Sequence, residues 1–279
     1  MNFAPVLLDI PRRVGYNGPN GIFFRQSILK ERIALPRFFA SRLPGEGALA
    51  FLDEGEMHHA RDVMRLREGE EVVLMIDGGL YASAFSPSNR FPLLRALPGT
   101  ESDIRFTLFQ GIPKGDKMDM VCQKCTEAGA ADIRPVAFER CVSVWGAKDA
   151  ARKAERLARI VREAAKQSGR SLCPSVSLPV TPAGMCSSFG EFDAVLVPWE
   201  GAAGPGPLAW WRSLEKRPRS VALVIGPEGG ITEGEIAMMK AHGALPVTLG
   251  PRILRTETAG LCALAALMAL SGNMEGQDA

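Results

Sequence analysis

The stretch Val221-Ala222-Leu223-Val224-Ile225-Gly226-Pro227-Glu228-Gly229-Gly230 decides how this chain folds. Five apolar residues ended by glycine and proline read as a central strand of a parallel sheet, apolar on both faces. Thr232-Glu233-Gly234-Glu235 then forms a capping box: Thr232 caps a helix and Glu235 reaches back to it. That helix runs to about His242 and stops at Gly243, a residue suited to the left-handed turn after a helix. A strand over Val247–Leu249 follows, then the loop Leu249-Gly250-Pro251-Arg252-Ile253-Leu254-Arg255-Thr256-Glu257-Thr258. The last helix, about Thr258–Leu270, is apolar almost all round, so it is expected to be buried by its own fold or by a partner subunit.

Two loops thus end neighbouring strands. Ligands of open α/β folds bind at the carboxyl ends of strands. Without Cβ atoms, the glycines of Gly226–Gly230 let backbone approach a ligand closely. Arg252 and Arg255 carry forks suited to phosphates and carboxylates, and Glu257 adds a carboxylate. Each loop alone has a plainer reading, a strand-to-helix turn or a weak surface ion pair. Their pairing points to a ligand site.

Outward from this segment, strands and helices alternate back to Ile104, as in an α/β domain with a largely parallel sheet. Strands are expected at Arg105–Gln110, Ile133–Phe138 and Ala194–Val197, with helices at about Lys117–Ala128 and Asp149–Ser168. Before a linker at Pro98-Gly99-Thr100 the elements are short. Strands at Arg37–Phe39 and Ala48–Leu52, a helix at Glu54–Met64 and a hairpin around Asp77-Gly78-Gly79 suggest a small β-barrel. The expected divisions are 1–35, a poorly ordered extension or a start placed too early; 36–98, the barrel; 103–272, the α/β domain; and 273–279, a flexible tail.

Composition narrows the function. The chain has 279 residues, 46% hydrophobic and 23% charged, enough for a substantial core. A formal net charge of +2 means that any nucleic-acid contact is made by local patches rather than a global field. No apolar run has membrane-spanning length, so a cytoplasmic protein is expected. Cys122-Gln123-Lys124-Cys125 invites a zinc or redox reading, but no second ligand pair follows and the pair falls inside a helix. Both are read as ordinary helix cysteines. P-loop, dinucleotide-binding and nucleophile-elbow motifs are missing.

Four ordered motifs give the chain a resemblance. Gln110-Gly111-Ile112-Pro113-Lys114-Gly115-Asp116-Lys117-Met118-Asp119, Gln123–Gly129 with Pro135 and Glu139-Arg140, Arg162–Arg170 with Pro174, and the two loops at Ile225–Ile231 and Leu249–Ala259 resemble the ribosomal RNA small-subunit methyltransferase E family. Arg37-Phe38-Phe39 matches its usual start, and the match runs to Leu270. Departures are Leu157 in place of tryptophan, Ala128 in place of leucine and Pro113 in place of serine. None removes a charged group.

The resemblance implies an α/β fold, with a deep trefoil knot of the SPOUT type behind a PUA-like barrel. It implies S-adenosylmethionine as cofactor and methylation of N3 of a uridine in 16S rRNA, on the assembled small subunit, by a homodimer. Carried onto this chain, the cofactor would be held by Leu196, Pro198, Glu200, Ile225, Gly226, Pro227, Glu228, Gly229, Gly230, Leu249, Gly250, Arg252, Ile253, Leu254 and Thr256. Arg252 and Arg255 would stabilise the uracil anion, and Glu257 or Glu228 would accept its proton. Lys114, Lys117, Lys124, Arg140, Gln167 and Arg170 would contact RNA. The alternatives are a non-catalytic RNA-binding module of the same architecture, or an enzyme using another nucleotide.

Overall fold

The structure is a computed structural model, and it describes residues 35–275. The extension expected over residues 1–35 lies almost wholly outside the described residues. Two six-stranded sheets lie within one compact unit beginning at Arg37.

The first sheet is built from β1 (Arg37–Leu43), β2 (Glu46–Leu52), β3 (Glu71–Ile76), β4 (Gly79–Ala84), β5 (Phe91–Pro92) and β6 (Arg95–Leu97). Its order is β5-β2-β1-β3-β4-β6, antiparallel except where β1 runs parallel to β3. The two-residue turn Asp77-Gly78 has positive φ at both positions, as the tight hairpin between β3 and β4 demands. The Ser83 hydroxyl donates to the Pro92 carbonyl at 2.8 Å, drawing β4 to the distant edge strand β5 and curling the sheet. Phe38, Leu52, Leu74 and Phe91 fill the interior. The single helix expected over Glu54–Met64 is instead α1 (Glu54–His58), capped by Asp53, continued by a π-helical turn over His59–Val63.

The second sheet is parallel throughout. It comprises β7 (Arg105–Gly111), β8 (Asp132–Val136), β9 (Ser175–Val176), β10 (Ala194–Pro198), β11 (Ser220–Ile225) and β12 (Leu245–Val247), ordered β12-β10-β11-β7-β8-β9. The helices are α2 (Lys117–Glu127), α3 (Ala147–Ser168), α4 (Pro182–Ser187), α5 (Pro207–Arg212), α6 (Glu233–Ala241) and α7 (Thr256–Leu270). Strand β11 shows why the apolar run is needed. Val221, Leu223 and Ile225 enter one core with α2, α3 and α7, whereas Ala222 and Val224 enter another with Phe109, Ile236 and Met239. A strand buried on both faces cannot alternate polar with apolar.

Two expectations need correction. The last strand is Leu245–Val247 rather than Val247–Leu249, because pairing with β10 ends at Pro198–Val247 and the Thr248 amide turns to the Pro205 carbonyl. The last helix begins at Thr256, which places Glu257 in its first turn. Its inner face, Gly260, Ala263, Leu264, Leu267 and Met268, is buried by its own fold, while Cys262 and Ala269 face outward. The Thr232–Glu235 capping box is present as expected.

The two sheets meet along α3. Glu56 of α1 is 3% exposed, and one of its oxygens takes Arg162 at 2.7 Å and Lys166 at 2.8 Å. Arg170 follows the same helix. Its guanidinium donates to Glu101 at 2.6 Å and to the carbonyls of Thr126 and Ala130. It is 5% exposed. Arg170 is therefore not an RNA contact. A guanidinium buried to this degree, with four of its five N–H groups given to Glu101, Thr126 and Ala130, holds the fold together rather than meeting a phosphate at the surface.

Candidate functional site

The carboxyl ends of β12, β10, β11 and β7 lie side by side, so four chain segments meet at one edge of the sheet. Their meeting is tight. A Cβ on Gly111, at the end of β7, would lie 2.5 Å from the Pro227 nitrogen. A Cβ on Gly229 would meet the Arg140 backbone oxygen at 2.8 Å, and one on Gly230, at φ +75°, would meet a Glu200 carboxylate oxygen at 2.9 Å. Gly111 and Gly229 are required by close approach of backbone, and Gly230 by its left-handed conformation.

A polar relay fixes the loop from below. Gln110 Nε2 donates to Thr256 Oγ1 at 2.8 Å, and that hydroxyl donates to the Gly226 carbonyl at 2.6 Å. Strand β7, the glycine loop and the start of α7 are joined in one chain of hydrogen bonds. Gln110 is fully buried, so this relay is shielded from competing water.

Two adjoining cavities open above this frame. The first, about 460 Å³, is floored by Gly226–Gly230 and walled by Pro198, Ile225, Ile231, Ile253, Leu254 and Ala259. Glu200, Lys117, Arg255 and Thr256 complete it. The second, about 230 Å³, adds Trp199, Thr248, Leu249, Gly250, Pro251 and Arg252 and shares Pro198, Glu200, Ile253, Leu254 and Ala259 with the first. Of the fifteen residues expected to hold a cofactor, only Leu196 lies away from both; it is 2% exposed, its side chain packed into the core of the sheet.

The charges divide into paired and unpaired. Lys117 Nζ lies 2.8 Å from Glu228 Oε1 and 3.4 Å from Glu257 Oε2. Burial alone would raise the Glu228 carboxyl. The hydrogen bonds from Lys117 and from backbone amides, Lys114 among them, outweigh that and hold it below its ordinary value. Reciprocally, the hydrogen bond to Glu228 first, then the two carboxylate charges, raises the Lys117 ammonium. Glu257 is 12% exposed in its side chain and lines neither cavity. Its Oε2 atom is buried, with only the Lys117 ion pair beside it. Arg252 and Arg255 are exposed at the cavity walls, and no side-chain partner holds either among the described residues.

The expected RNA contacts scatter. Lys117 turns into the first cavity. Lys114 and Arg140 are exposed at its rim; Arg140 donates to the Gly229 carbonyl at 3.3 Å. Lys124 and Gln167 line a separate groove between α2 and α3, with Glu127 and Arg159. The two helix cysteines are buried thiols: desolvation pushes Cys125 up to about 12 and raises Cys122 as well. Neither has the thiolate character that metal binding or redox chemistry needs.

Comparison with known proteins defines the class. Residues 100–268 match the RNA methyltransferase domain family, and residues 52–85 match the RNA methyltransferase PUA domain family. The chain is an RNA methyltransferase. Among its relatives, ribosomal RNA small subunit methyltransferase E of Bacillus subtilis is 33% identical over 221 residues, covering 76% of this chain and 86% of that protein. Its namesake in Mycobacterium bovis is 32% identical over 253 residues, covering 85% and 93%. The crystal structure of the Neisseria gonorrhoeae ribosomal RNA small subunit methyltransferase E bound to S-adenosyl methionine superposes with a TM-score of 0.68, at 30% identity, covering 85% of this chain and 98% of that one. The chain belongs to the ribosomal RNA small subunit methyltransferase E family.

Proposed function

We propose that this protein methylates N3 of a uridine in 16S rRNA with S-adenosylmethionine held in the paired cavities. The observation that carries the reading is the backbone cradle at Gly226–Gly230. Cβ atoms at Gly226 and Gly229 would run into Ile231 at 2.7 Å and Arg140 at 2.8 Å, so these positions admit only glycine, and the tightly packed loop brings its backbone to the cavity floor. The residues present suit the cofactor's parts. Ile225, Ile231, Ile253 and Leu254 give apolar walls for a purine ring, and Glu200 gives a carboxylate for hydroxyl or ammonium donors.

When bound, the cofactor supplies a methyl group made electrophilic by its sulfonium. The chain's residues supply position and charge. N3 gives its proton to a carboxylate, its electron pair forms the bond to the methyl carbon, and the pair of the broken carbon–sulfur bond stays on sulfur. Glu228 is the acceptor, since it lines the first cavity, is ionised and passes the proton on to water. Glu257 is withdrawn behind Lys117 and does not serve. As N3 loses its proton, charge develops on the uracil oxygens, and Arg255, with Arg252 beside the adjoining cavity, stabilises it.

The barrel of residues 36–98 and the rim cations Lys114 and Arg140 hold the RNA. The segment after β12 threads the α/β domain of residues 103–272 as a trefoil knot. A second copy covers the outer face of α7, where Cys262, Ala266, Ala269 and Leu270 face Leu208 and Leu249 across a groove of about 510 Å³. Among the described residues no helix is long and apolar enough to cross a membrane, in keeping with work on cytoplasmic ribosomal particles. Calorimetry with S-adenosylhomocysteine tests the cofactor assignment: one site per chain is expected, and no heat of binding contradicts it.

A further inference from the structure

Lys117 was grouped by sequence with phosphate contacts, yet its surroundings do not suit a phosphate. Two carboxylates face one ammonium, so Lys117, Glu228 and Glu257 together carry a negative charge. An anion would be repelled by that pair. A neutral heterocycle with matched donors and acceptors would not.

The ammonium has three N–H groups. One goes to Glu228 at 2.8 Å and one faces Glu257 at 3.4 Å, which leaves a third for the cavity that Lys117 lines. Glu228 also lines that cavity and presents acceptor oxygens. Arg255 lines it too, with an unpaired guanidinium among the described residues. The three side chains offer donor, acceptor and donor around one space. The base edge complementary to this is acceptor, donor, acceptor. That is the imide edge of uracil: O4, N3–H, O2. Cytosine, with an amino group and an unprotonated N3, would set donor against donor and lone pair against carboxylate.

We propose that Lys117, Glu228 and Arg255 read the imide edge of the target base, with Lys117 a catalytic residue that donates to one uracil carbonyl oxygen. Glu257 is its positioning residue, locking the ammonium from behind. The proposal rests on the uridine-N3 reading above and assigns the selection of the base to three named side chains. The raised Lys117 and lowered Glu228 titrations keep the first a donor and the second an acceptor throughout the neutral range. A site built to hydrogen-bond a particular edge rejects an analogue lacking it by about 10⁴-fold or more.

The test compares wild type, Lys117→Met and Lys117→Arg on unmethylated small subunits across pH 6 to 9, alongside calorimetry with S-adenosylhomocysteine. Lys117→Met strands the buried Glu257 carboxylate, so Lys117→Met/Glu257→Gln is measured beside it. We expect S-adenosylhomocysteine affinity to stay within about threefold of wild type. Turnover at pH 7 should fall about 100-fold in both methionine variants, as for loss of one charge-stabilising donor. Their deficit should shrink as pH rises, because the N3 anion forms more readily without help. Lys117→Arg should recover part of the wild-type profile. An unchanged turnover and pH profile in the methionine variants, with wild type active, would overturn the role of Lys117 while leaving the function standing. A deficit confined to S-adenosylhomocysteine affinity would overturn it too, by making Lys117 a cofactor contact. Wild-type methylation of a base other than uracil would remove both.

Discussion

Two sets of cations, each within one turn or two of chain, look alike in the sequence and behave oppositely in the structure. Arg162, Lys166 and Arg170 lie at the seam between the sheets, paired with the carboxylates of Glu56 and Glu101, and Arg170 is buried there. Arg252 and Arg255 sit at the cavity walls, exposed and without side-chain partners among the described residues. A buried cation with its carboxylate is part of the architecture, because removing either leaves an uncompensated charge. An exposed one beside a cavity is available to charge that appears during a reaction. Burial, not residue type, separates the two roles.

The two sets of cations should give opposite phenotypes when removed. Arg170→Ala should lower unfolding free energy by about 3–5 kcal/mol, with Glu101 and two carbonyls stranded. Denaturant unfolding measures it; a stable variant with weakened RNA binding would return Arg170 to the RNA surface. Arg255→Ala should do the reverse. Its unfolding midpoint should stay put, while turnover drops about 10²–10³-fold with little change in S-adenosylhomocysteine affinity. A loss purely of affinity would place Arg255 against the cofactor rather than the uracil.

Between these extremes stands the relay beneath the glycine loop. Thr256→Val keeps the shape but removes the bridge from Gln110 to Gly226, at a cost of about 1–3 kcal/mol for the stranded groups. Cofactor affinity should weaken along with stability, since the relay holds the cavity floor. If affinity is untouched, the floor is rigid without it.

The smallest effect is electrostatic. Glu228 has its carboxyl held below the ordinary value when folded. Its contribution is therefore complete above the unfolded carboxylate value and is lost as pH falls through the lower, folded one. Glu228→Gln should flatten the acid limb of the stability profile, and an unchanged limb would show the pair contributes nothing. Because Lys117 and Glu228 are partly exposed, salt should shrink the difference.

How much of this the sequence disclosed follows from the range of each signal. The run Val221–Ile225, the Thr232–Glu235 capping box and the Asp77-Gly78 turn are local, and each is found where its residues place it. Both loops that line the cavities were legible for the same reason. What was hidden depends on distant partners. Nothing local says that Arg170 meets Glu101, or that Lys117 meets Glu228 at the ends of two neighbouring strands. Leu196 sits on the right strand but points into the core, a matter of strand phase that an all-apolar strand does not betray. Gln110 and Thr256 were visible as residues, yet their bond spans 146 positions. The strand before the arginine loop shifted by two residues because its pairing with β10, not its own apolarity, sets where it ends.

The central claim is that the paired cavities bring a methyl donor and a uridine N3 together. Unmethylated small subunits, incubated with this protein and methyl-labelled S-adenosylmethionine, test it directly once the labelled nucleotide is mapped by mass spectrometry. One methyl group is expected on N3 of a single uridine of 16S rRNA, with that product lost in Arg255→Ala. Label on a ribose, on another base or on no nucleotide at all would contradict it.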